Sequence, residues 1–199
     1  MKLKGLITAI VCCLLTSNAM AATLLVVGDS ISAAFGLETQ QGWVSLLEAR
    51  LHERAPAWRV VNASRSGETS SGGLARLPAL LAKHQPHMVV IELGGNDGLR
   101  GQDPALLRAN LRQMIEQSQQ AGAKVALLGM RLPPSYGERY TQAFAAVFHE
   151  LAAQTPTVPF LLDGVGGVPT LMQADGIHPN ADAQAQLLEN AWPVLAPLL

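Results

Sequence analysis

The stretch TLLVVGDS, residues 23–30, joins a short, mostly apolar run to a polar turn. A run of this length that ends at a glycine is typical of a strand buried on both faces. Such strands occur in parallel sheets whose two faces are covered by helices. The stretch therefore predicts an α/β fold, and it places Asp29 and Ser30 at the carboxyl end of a strand.

Strand and helix signals alternate along the rest of the chain. Val44, Leu47 and Leu51 are spaced as on one face of a helix, with charged residues between them. Pro104 and Gly122 suit the start and the stop of a later helix. The predicted strands are 23–27, 59–62, 88–93, 124–128 and 158–162. The predicted helices are 43–55, 74–83, 104–120, 138–154 and a last one from 180 or 181 to about 195.

This alternation predicts a three-layer α/β/α sandwich of the flavodoxin kind, with a mainly parallel five-stranded sheet. Residues 22–199 have the length of a single domain, and no repeat or linker interrupts them. Ligands of such sheets bind beyond the carboxyl ends of the strands. The polar residues at these ends are therefore the place to look for chemistry.

The first 21 residues predict an export signal that is not part of the fold. Two lysines precede an apolar run at 6–15, which at about ten residues is too short to span a bilayer. The AMA sequence at 19–21 fits the cleavage rule, so we expect cleavage after Ala21 and a periplasmic or secreted protein. An uncleaved membrane anchor is the alternative. A lipoprotein is disfavoured because no small residue precedes either cysteine, at 12 or 13.

The composition of residues 22–199 excludes several classes of site and partner. Both cysteines fall in the signal, so we expect no disulfide, thiolate metal site or cysteine nucleophile. Without the two signal lysines, 12 basic side chains face 15 acidic ones, and no basic stripe suggests a nucleic acid partner. No second apolar stretch reaches spanning length, so no stable membrane insertion is expected. A monomer is the expected state.

Polar clusters that contain glycine follow the first three predicted strands, at 28–30, 62–67 and 94–97. A fourth cluster, DGIHP at 175–179, lies near the end of the chain. Because the carboxyl ends of parallel strands meet at one edge, the first three clusters are predicted to share the binding edge.

Ester cleavage by a serine requires residues that these clusters contain. A serine hydroxyl needs a base to take its proton, and histidine suits this because its ordinary pKa is close to neutral pH. A carboxylate must hold the imidazole and stabilise its charged form. Asp175 and His178 are close enough in sequence for one turn to join them, and the fold can bring this loop to Ser30. The pattern predicts a catalytic triad of Ser30, His178 and Asp175.

The oxyanion of the reaction also needs hydrogen-bond donors. The candidates are the backbone N–H groups of Ser30 and Gly67 and the side-chain amide of Asn96. Glycine at 67 allows the backbone to approach closely.

Other assignments are open at this stage. Ser30 could be a simple turn or cap residue, and Ser64 or Ser66 could be the nucleophile, although no G-x-S-x-G motif surrounds any serine. Asp29 and Asp97 are interpreted as structural acceptors. The other histidines lack an acid at zinc-ligand spacing, and the glycines at 94–95 lack a phosphate-loop lysine, so no metal and no cofactor are predicted.

Five blocks of the chain resemble the SGNH (GDSL) hydrolase superfamily, in particular its bacterial periplasmic thioesterase I, lysophospholipase L1 and arylesterase group. The blocks are VVGDSIS (26–32), NASRSGETSSGG (62–73), ELGGNDGLRG (92–101), MRLPPSYGERY (130–140) and DGIHPN (175–180). The resemblance implies the SGNH hydrolase fold over residues 22–199, with Ser30 as nucleophile, Gly67 and Asn96 as oxyanion donors and the Asp175–His178 pair. It also implies hydrolysis of acyl thioesters, aryl or short-chain esters and lysophospholipids. Arg65 departs from the small or apolar residue expected in its block.

The segments after the oxyanion blocks are predicted to bind the small-molecule acyl substrate. Glycines flank 98–101, which could move as a flap carrying Leu99, and Pro133 and Tyr136 offer apolar surface. We therefore expect medium-chain esters or thioesters to be preferred over acetyl esters. The alternatives are a carbohydrate or peptidoglycan O-acetyl esterase, disfavoured by the few aromatic residues, and a non-catalytic acyl-ligand binder.

Overall fold

The computed structural model describes residues 21–199, so the predicted signal up to residue 20 lies outside the described residues. These residues form one five-stranded parallel sheet with helices on both faces, as the sequence predicted. The strands are β1 (Ala22–Gly28), β2 (Trp58–Asn62), β3 (Met88–Glu92), β4 (Lys124–Leu128) and β5 (Thr157–Val158). The helices are α1 (Trp43–Arg54), α2 (Ser70–His84), α3 (Gly95–Leu99), α4 (Pro104–Gln120), α5 (Glu138–Leu151) and α6 (Gln184–Leu195).

The strand order is β2-β1-β3-β4-β5, so β1 lies inside the sheet with β2 and β3 as its neighbours. The side chains of β1 and β3 are buried almost throughout, which explains their apolar sequences. Helices α1 and α6 pack together in one layer, while α4 packs between α2 and α5 in the other. The core is therefore the two faces of β1, β3 and β4.

The last predicted strand is wrong in extent. It was expected over 158–162, but only Thr157 and Val158 pair with β4. Pro159 has no N–H to continue the ladder, and the chain turns shortly afterwards. The remaining contact is a single bond from Leu161 N–H to the carbonyl of Gly129, at 2.8 Å.

Helix α2 begins at Ser70, four residues before the predicted start. The Thr69 side chain caps it by accepting the N–H of Gly72, and Gly73 lies buried where a Cβ would collide with Leu93. The predicted start left Gly72 and Gly73 outside the helix, but both belong to it, and Gly73 permits close packing of the helix on the sheet.

Helix α3 was not predicted from the sequence; it begins directly after β3 and the turn at Gly94, where φ is 121°. Gly98 lies inside this helix and is buried against Leu132 and Phe144. The predicted flap at 98–101 is therefore wrong for its first half, which is packed helix. No helix of residues 21–199 combines the length and the apolar character that crossing a bilayer needs.

Candidate active site

Ser30 lies two residues beyond the end of β1, in a tight turn. The carbonyl of Asp29 accepts the N–H of Ala33, and that of Ser30 accepts the N–H of Phe35, both at 3.0 Å. The side-chain Oδ1 of Asp29 also accepts the backbone N–H of Ile31, at 3.0 Å. These bonds fix the backbone around Ser30, a residue that is only 8% exposed.

The structure joins the three predicted triad residues in one hydrogen-bonded chain. The Ser30 Oγ lies 2.8 Å from His178 Nε2, and His178 Nδ1 lies 2.6 Å from Asp175 Oδ2. With the proton on Nδ1 donated to Asp175, Nε2 accepts from the serine hydroxyl. This is the arrangement by which a carboxylate orients an imidazole as a base.

Backbone N–H groups of its own loop hold the Asp175 carboxylate in place and favour its charged form. Its Oδ1 accepts the backbone N–H groups of Ile177 and His178, at 2.9 and 3.0 Å. The hydrogen bond from the His178 backbone, followed by that from its ring, lowers the pKa of Asp175 to about 2. The carboxylate is therefore ionised at any pH at which the protein would be assayed.

The loop that carries His178 is tied to the turn that carries Ser30. The Gln173 side-chain amide donates to the carbonyls of Phe35, at 2.8 Å, and Pro179, at 3.0 Å. The Phe35 ring lies against the His178 ring, with 4.6 Å between centroids. These contacts join segments that are far apart in the sequence and hold the imidazole over the serine.

The candidate oxyanion donors lie on the loops that follow the two neighbours of β1. Gly67 follows β2 and has a φ of 77°, a conformation that favours glycine. Asn96 follows β3 in the first turn of α3, and its Nδ2 donates to Asp29 Oδ2 at 3.1 Å. One N–H of the Asn96 amide is used in this way, and the amide has a second N–H to offer.

Two buried carboxyl groups, one in the turn that carries Ser30 and one beneath it, have raised pKa values. Burial raises the pKa of Asp29 to about 6. Glu92 is fully buried, and its Oε2 accepts from Ser32 Oγ at 2.6 Å and from the Asp29 N–H at 3.3 Å. Burial, and then the charge of Asp29, raise the pKa of Glu92 well above its usual value. Glu92 was not singled out from the sequence, where it lies inside the predicted strand 88–93.

Asp97 connects the two loops that carry the candidate oxyanion donors Gly67 and Asn96. Its Oδ2 accepts the backbone N–H of Ser70 at 2.8 Å, and its Oδ1 accepts the Ser70 hydroxyl. Asn110 of α4 donates to the same hydroxyl at 2.9 Å. The bond fixes the start of α2, three residues after Gly67, against the residue next to Asn96. Asp29 and Asp97 are thus hydrogen-bond acceptors, as interpreted from the sequence.

An apolar groove of about 440 Å³ opens next to the turn that carries Ser30, with Ile31 and Gly95 in its lining. Leu99 and Pro133 line it, as predicted for substrate-binding residues, but Tyr136 does not. Tyr136 lines a separate surface pocket, and its hydroxyl donates to the Leu99 carbonyl at 3.2 Å. The substrate-binding role of Tyr136 stays a prediction; its hydroxyl contacts the segment that forms one wall of the groove.

The rival residues of the sequence analysis lie elsewhere. Ser30, and neither Ser64 nor Ser66, is hydrogen-bonded to His178, and the Ser64 hydroxyl is buried without a hydrogen-bond partner in residues 21–199. His52 and His149 lie on helices, and His87 accepts the N–H of Thr23 at the opposite end of β1. Within the described part of the chain, no three His, Cys, Asp or Glu side chains gather as a metal site.

A sequence profile of the GDSL-like Lipase/Acylhydrolase family matches residues 26–186, most of the chain. The chain belongs to this family. As a GDSL hydrolase it is an enzyme that acts on ester bonds, and the profile contains both the serine turn and the histidine loop.

Relatives of this GDSL hydrolase match it over nearly its full length. The protein named Esterase TesA of Pseudomonas aeruginosa is 63% identical over 188 residues, 94% of each chain. Thioesterase 1/protease 1/lysophospholipase L1 of Escherichia coli K12 is 46% identical over 189 residues, 94% of this chain and 89% of that protein. A crystal structure of TesA superposes with a TM-score of 0.87 at 64% identity and covers 89% of this chain and 99% of that one.

Proposed function

We propose that this protein is a serine esterase and thioesterase in which Ser30 is the nucleophile, His178 the general base and acid, and Asp175 the residue that orients His178. The observation that supports this most directly is the continuous chain from Ser30 Oγ through both ring nitrogens to Asp175, with gaps of 2.8 and 2.6 Å. Nucleophile, base and orienting group are within hydrogen-bond distance, which acyl transfer by a serine requires.

The reaction follows from these positions. His178 Nε2 takes the Ser30 proton as Oγ attacks the carbonyl carbon, and Asp175 stabilises the imidazolium. The backbone N–H groups of Ser30 and Gly67 and the free N–H of Asn96 stabilise the oxyanion. His178 then protonates the leaving oxygen or sulfur, and a water, activated by the same nitrogen, hydrolyses the acyl-enzyme.

The groove beside Ser30 is the proposed acyl site. Its walls are mostly apolar, with Leu99, Leu132, Phe160 and Met172 among them. An acyl chain of medium length fills such a groove, whereas an acetyl group leaves it empty. Medium-chain esters or thioesters are therefore the proposed substrates, in keeping with the esterase and thioesterase names of the two relatives.

The cellular setting is also part of the proposal. Residues 1–21 serve as an export signal, supported by the short apolar run and the AMA sequence at 19–21. The mature protein, residues 22–199, then acts as a single-domain monomer in the periplasm or outside the cell. The complete triad within one chain is consistent with a monomer, because no second copy is needed to supply a residue.

The test is hydrolysis of p-nitrophenyl butyrate and octanoate by the mature protein and by Ser30→Ala. We expect the variant to lose at least about a thousandfold in kcat, as for loss of a triad nucleophile. Ser66→Ala, on the exposed loop, is the matched control and should keep its activity. The wild type should prefer octanoate.

Other outcomes point elsewhere. Equal activity of wild type and Ser30→Ala would remove Ser30 as the nucleophile. A maximum at acetate would contradict the acyl assignment of the groove and favour an O-acetyl esterase. A wild type that hydrolyses none of these esters and is not labelled by a fluorophosphonate would be an acyl-ligand binder.

A further inference from the structure

Ser30 follows β1, which has β2 on one side and β3, β4 and β5 on the other, so different loops lie on its two sides. The groove residues Met130 and Leu132 follow β4, and Phe160 and Leu162 follow β5. The loop at 63–69 follows β2, on the opposite side of β1. The acyl chain and the leaving group extend from the reacting carbonyl carbon in different directions. With the acyl chain in the groove, the leaving group points toward the 63–69 loop.

Two arginines lie on this leaving-group side. Arg65 is exposed within the loop, and its backbone N–H donates to the Gly28 carbonyl at 3.0 Å, which holds the loop against the end of β1. Arg100 is exposed after α3, and its Nη2 donates to the Gly67 carbonyl at 3.0 Å. Arg65 therefore lies two residues before Gly67 in the same loop, and the Arg100 guanidinium contacts the Gly67 carbonyl.

The charge of these two arginines is not neutralised by neighbours. Within residues 21–199, neither has a carboxylate within the 4 Å of an ion pair, whereas Arg50, Arg76 and Arg108 are each paired with a glutamate. The acid nearest in sequence to Arg65 is Glu68, and it is held by Arg76. The guanidinium groups keep donors for a ligand from solution.

We propose that Arg65 and Arg100 form a subsite for a leaving group that carries a phosphate. This inference rests on the proposed function, because it assumes the acyl chain in the groove. A guanidinium presents a planar set of donors that matches phosphate oxygens, and two of them beside an oxyanion loop select for an anionic leaving group. It also gives Arg65, which departs from the pattern of its block, a role in specificity.

Two classes of acyl compound share this chemistry. One is a thioester of coenzyme A, and the other is an ester of a glycerol phosphate. Each has a neutral counterpart with the same acyl chain and the same bond: octanoyl-N-acetylcysteamine for octanoyl-CoA, and 1-octanoylglycerol for 1-octanoylglycerol 3-phosphate. Within the glycerol pair the phosphate is the only difference. Within the thioester pair coenzyme A also adds adenosine and the rest of the pantetheine arm, so there the contribution of the phosphates is read from the loss in Arg65→Gln and its recovery in Arg65→Lys.

The experiment measures kcat and KM on all four compounds for wild type, Arg65→Gln and Arg65→Lys. Arg65→Gln should raise KM about fivefold for at least one phosphate-bearing compound, as for a partly exposed charge-assisted contact, and change its neutral counterpart by less than about twofold. Arg65→Lys should restore much of the loss. The difference should shrink in about 0.5 M NaCl because salt screens exposed charges.

Arg112→Gln, an exposed arginine on α4, is the matched control and should change neither class. The pair in which the Arg65→Gln effect appears identifies the source of the phosphate. An equal effect on charged and neutral compounds, or no effect, would overturn the subsite. Hydrolysis of the neutral compounds by the wild type, and not by Ser30→Ala, would leave the proposed function standing in that case.

Discussion

Asp29 and Asp175 are the same residue type, yet their surroundings move their pKa values in opposite directions. Burial raises the pKa of Asp29 to about 6, while hydrogen bonds from the His178 backbone and ring lower the pKa of Asp175 to about 2. Asp175 stays charged at neutral pH, as its proposed role of stabilising an imidazolium requires. Asp29 is ionised at neutral pH, when it accepts an N–H of Asn96, and becomes protonated as the pH falls through 6.

Glu92 lies beneath Asp29 and accepts its backbone N–H, and its buried carboxyl group gives a testable prediction. A carboxyl whose pKa is raised by burial holds its proton more tightly in the folded protein than in the unfolded chain. The free energy of unfolding therefore falls as the pH rises above the usual carboxyl value, by at most about 1.4 kcal/mol per pH unit. Glutamine keeps an acceptor for Ser32 and the Asp29 N–H but cannot ionise.

We expect the Tm of Glu92→Gln to exceed that of the wild type by an amount that grows between pH 5 and pH 9. Circular dichroism melts across this range measure it, with Glu48→Gln on exposed α1 surface as the control. A Tm difference that is constant with pH would contradict the assignment of a buried, protonated Glu92.

At the scale of elements, the site depends on where the helices begin. Helix α2 starts just after the Gly67 turn, and α3 carries Asn96 in its first turn. Asp97 holds these two starts together through Ser70. Asp103 has a similar local task at the start of α4, where its side chain accepts the N–H of Ala105 at 2.8 Å, but it lies at the surface.

Asp97 and Asp103 can be compared directly by replacing each with alanine. Asp97→Ala leaves the buried N–H and hydroxyl of Ser70 without their acceptor, so we expect a loss of about 2–4 kcal/mol in urea unfolding. Asp103→Ala removes an exposed cap and should cost about 1 kcal/mol. We also expect kcat on p-nitrophenyl octanoate to fall in Asp97→Ala alone, with little change in KM. Equal stability losses, or an unchanged kcat in both, would separate Asp97 from the oxyanion loops.

At the scale of the whole molecule, stability rests on the inner strands. Leu25 in β1 is fully buried between the helix layers, whereas Val60 in the edge strand β2 is only partly buried. We expect Leu25→Ala to lower the free energy of unfolding by about 2–5 kcal/mol and Val60→Ala by less than about 1.5 kcal/mol. Urea titrations followed by circular dichroism measure both values. A similar loss at the two positions would contradict the unequal burial.

Features carried by local sequence were predictable, and features that depend on long-range contact were not. Short apolar runs located all five strands, and the three-residue spacing of Asp175 and His178 located the pair that the structure joins. The hydrogen bond between Asn96 and Asp29 joins residues 67 apart in the sequence, and that between Ser32 and Glu92 joins residues 60 apart. Neither bond can be predicted from a short sequence spacing. The position of Tyr136 outside the groove also depends on how α3 packs, and α3 was missed.

Ser30 and His178 are separated by 148 residues, so during synthesis the proposed nucleophile is made long before its proposed base. A ribosome-bound fragment, a chain truncated before the DGIHP loop or an unfolded chain has a serine hydroxyl with ordinary, low reactivity. Turnover of a chromogenic ester therefore reports completed tertiary structure, and refolding kinetics could be followed by the return of colour. It also means that such a hydrolase is harmless to the acyl esters around it until its last segment has docked.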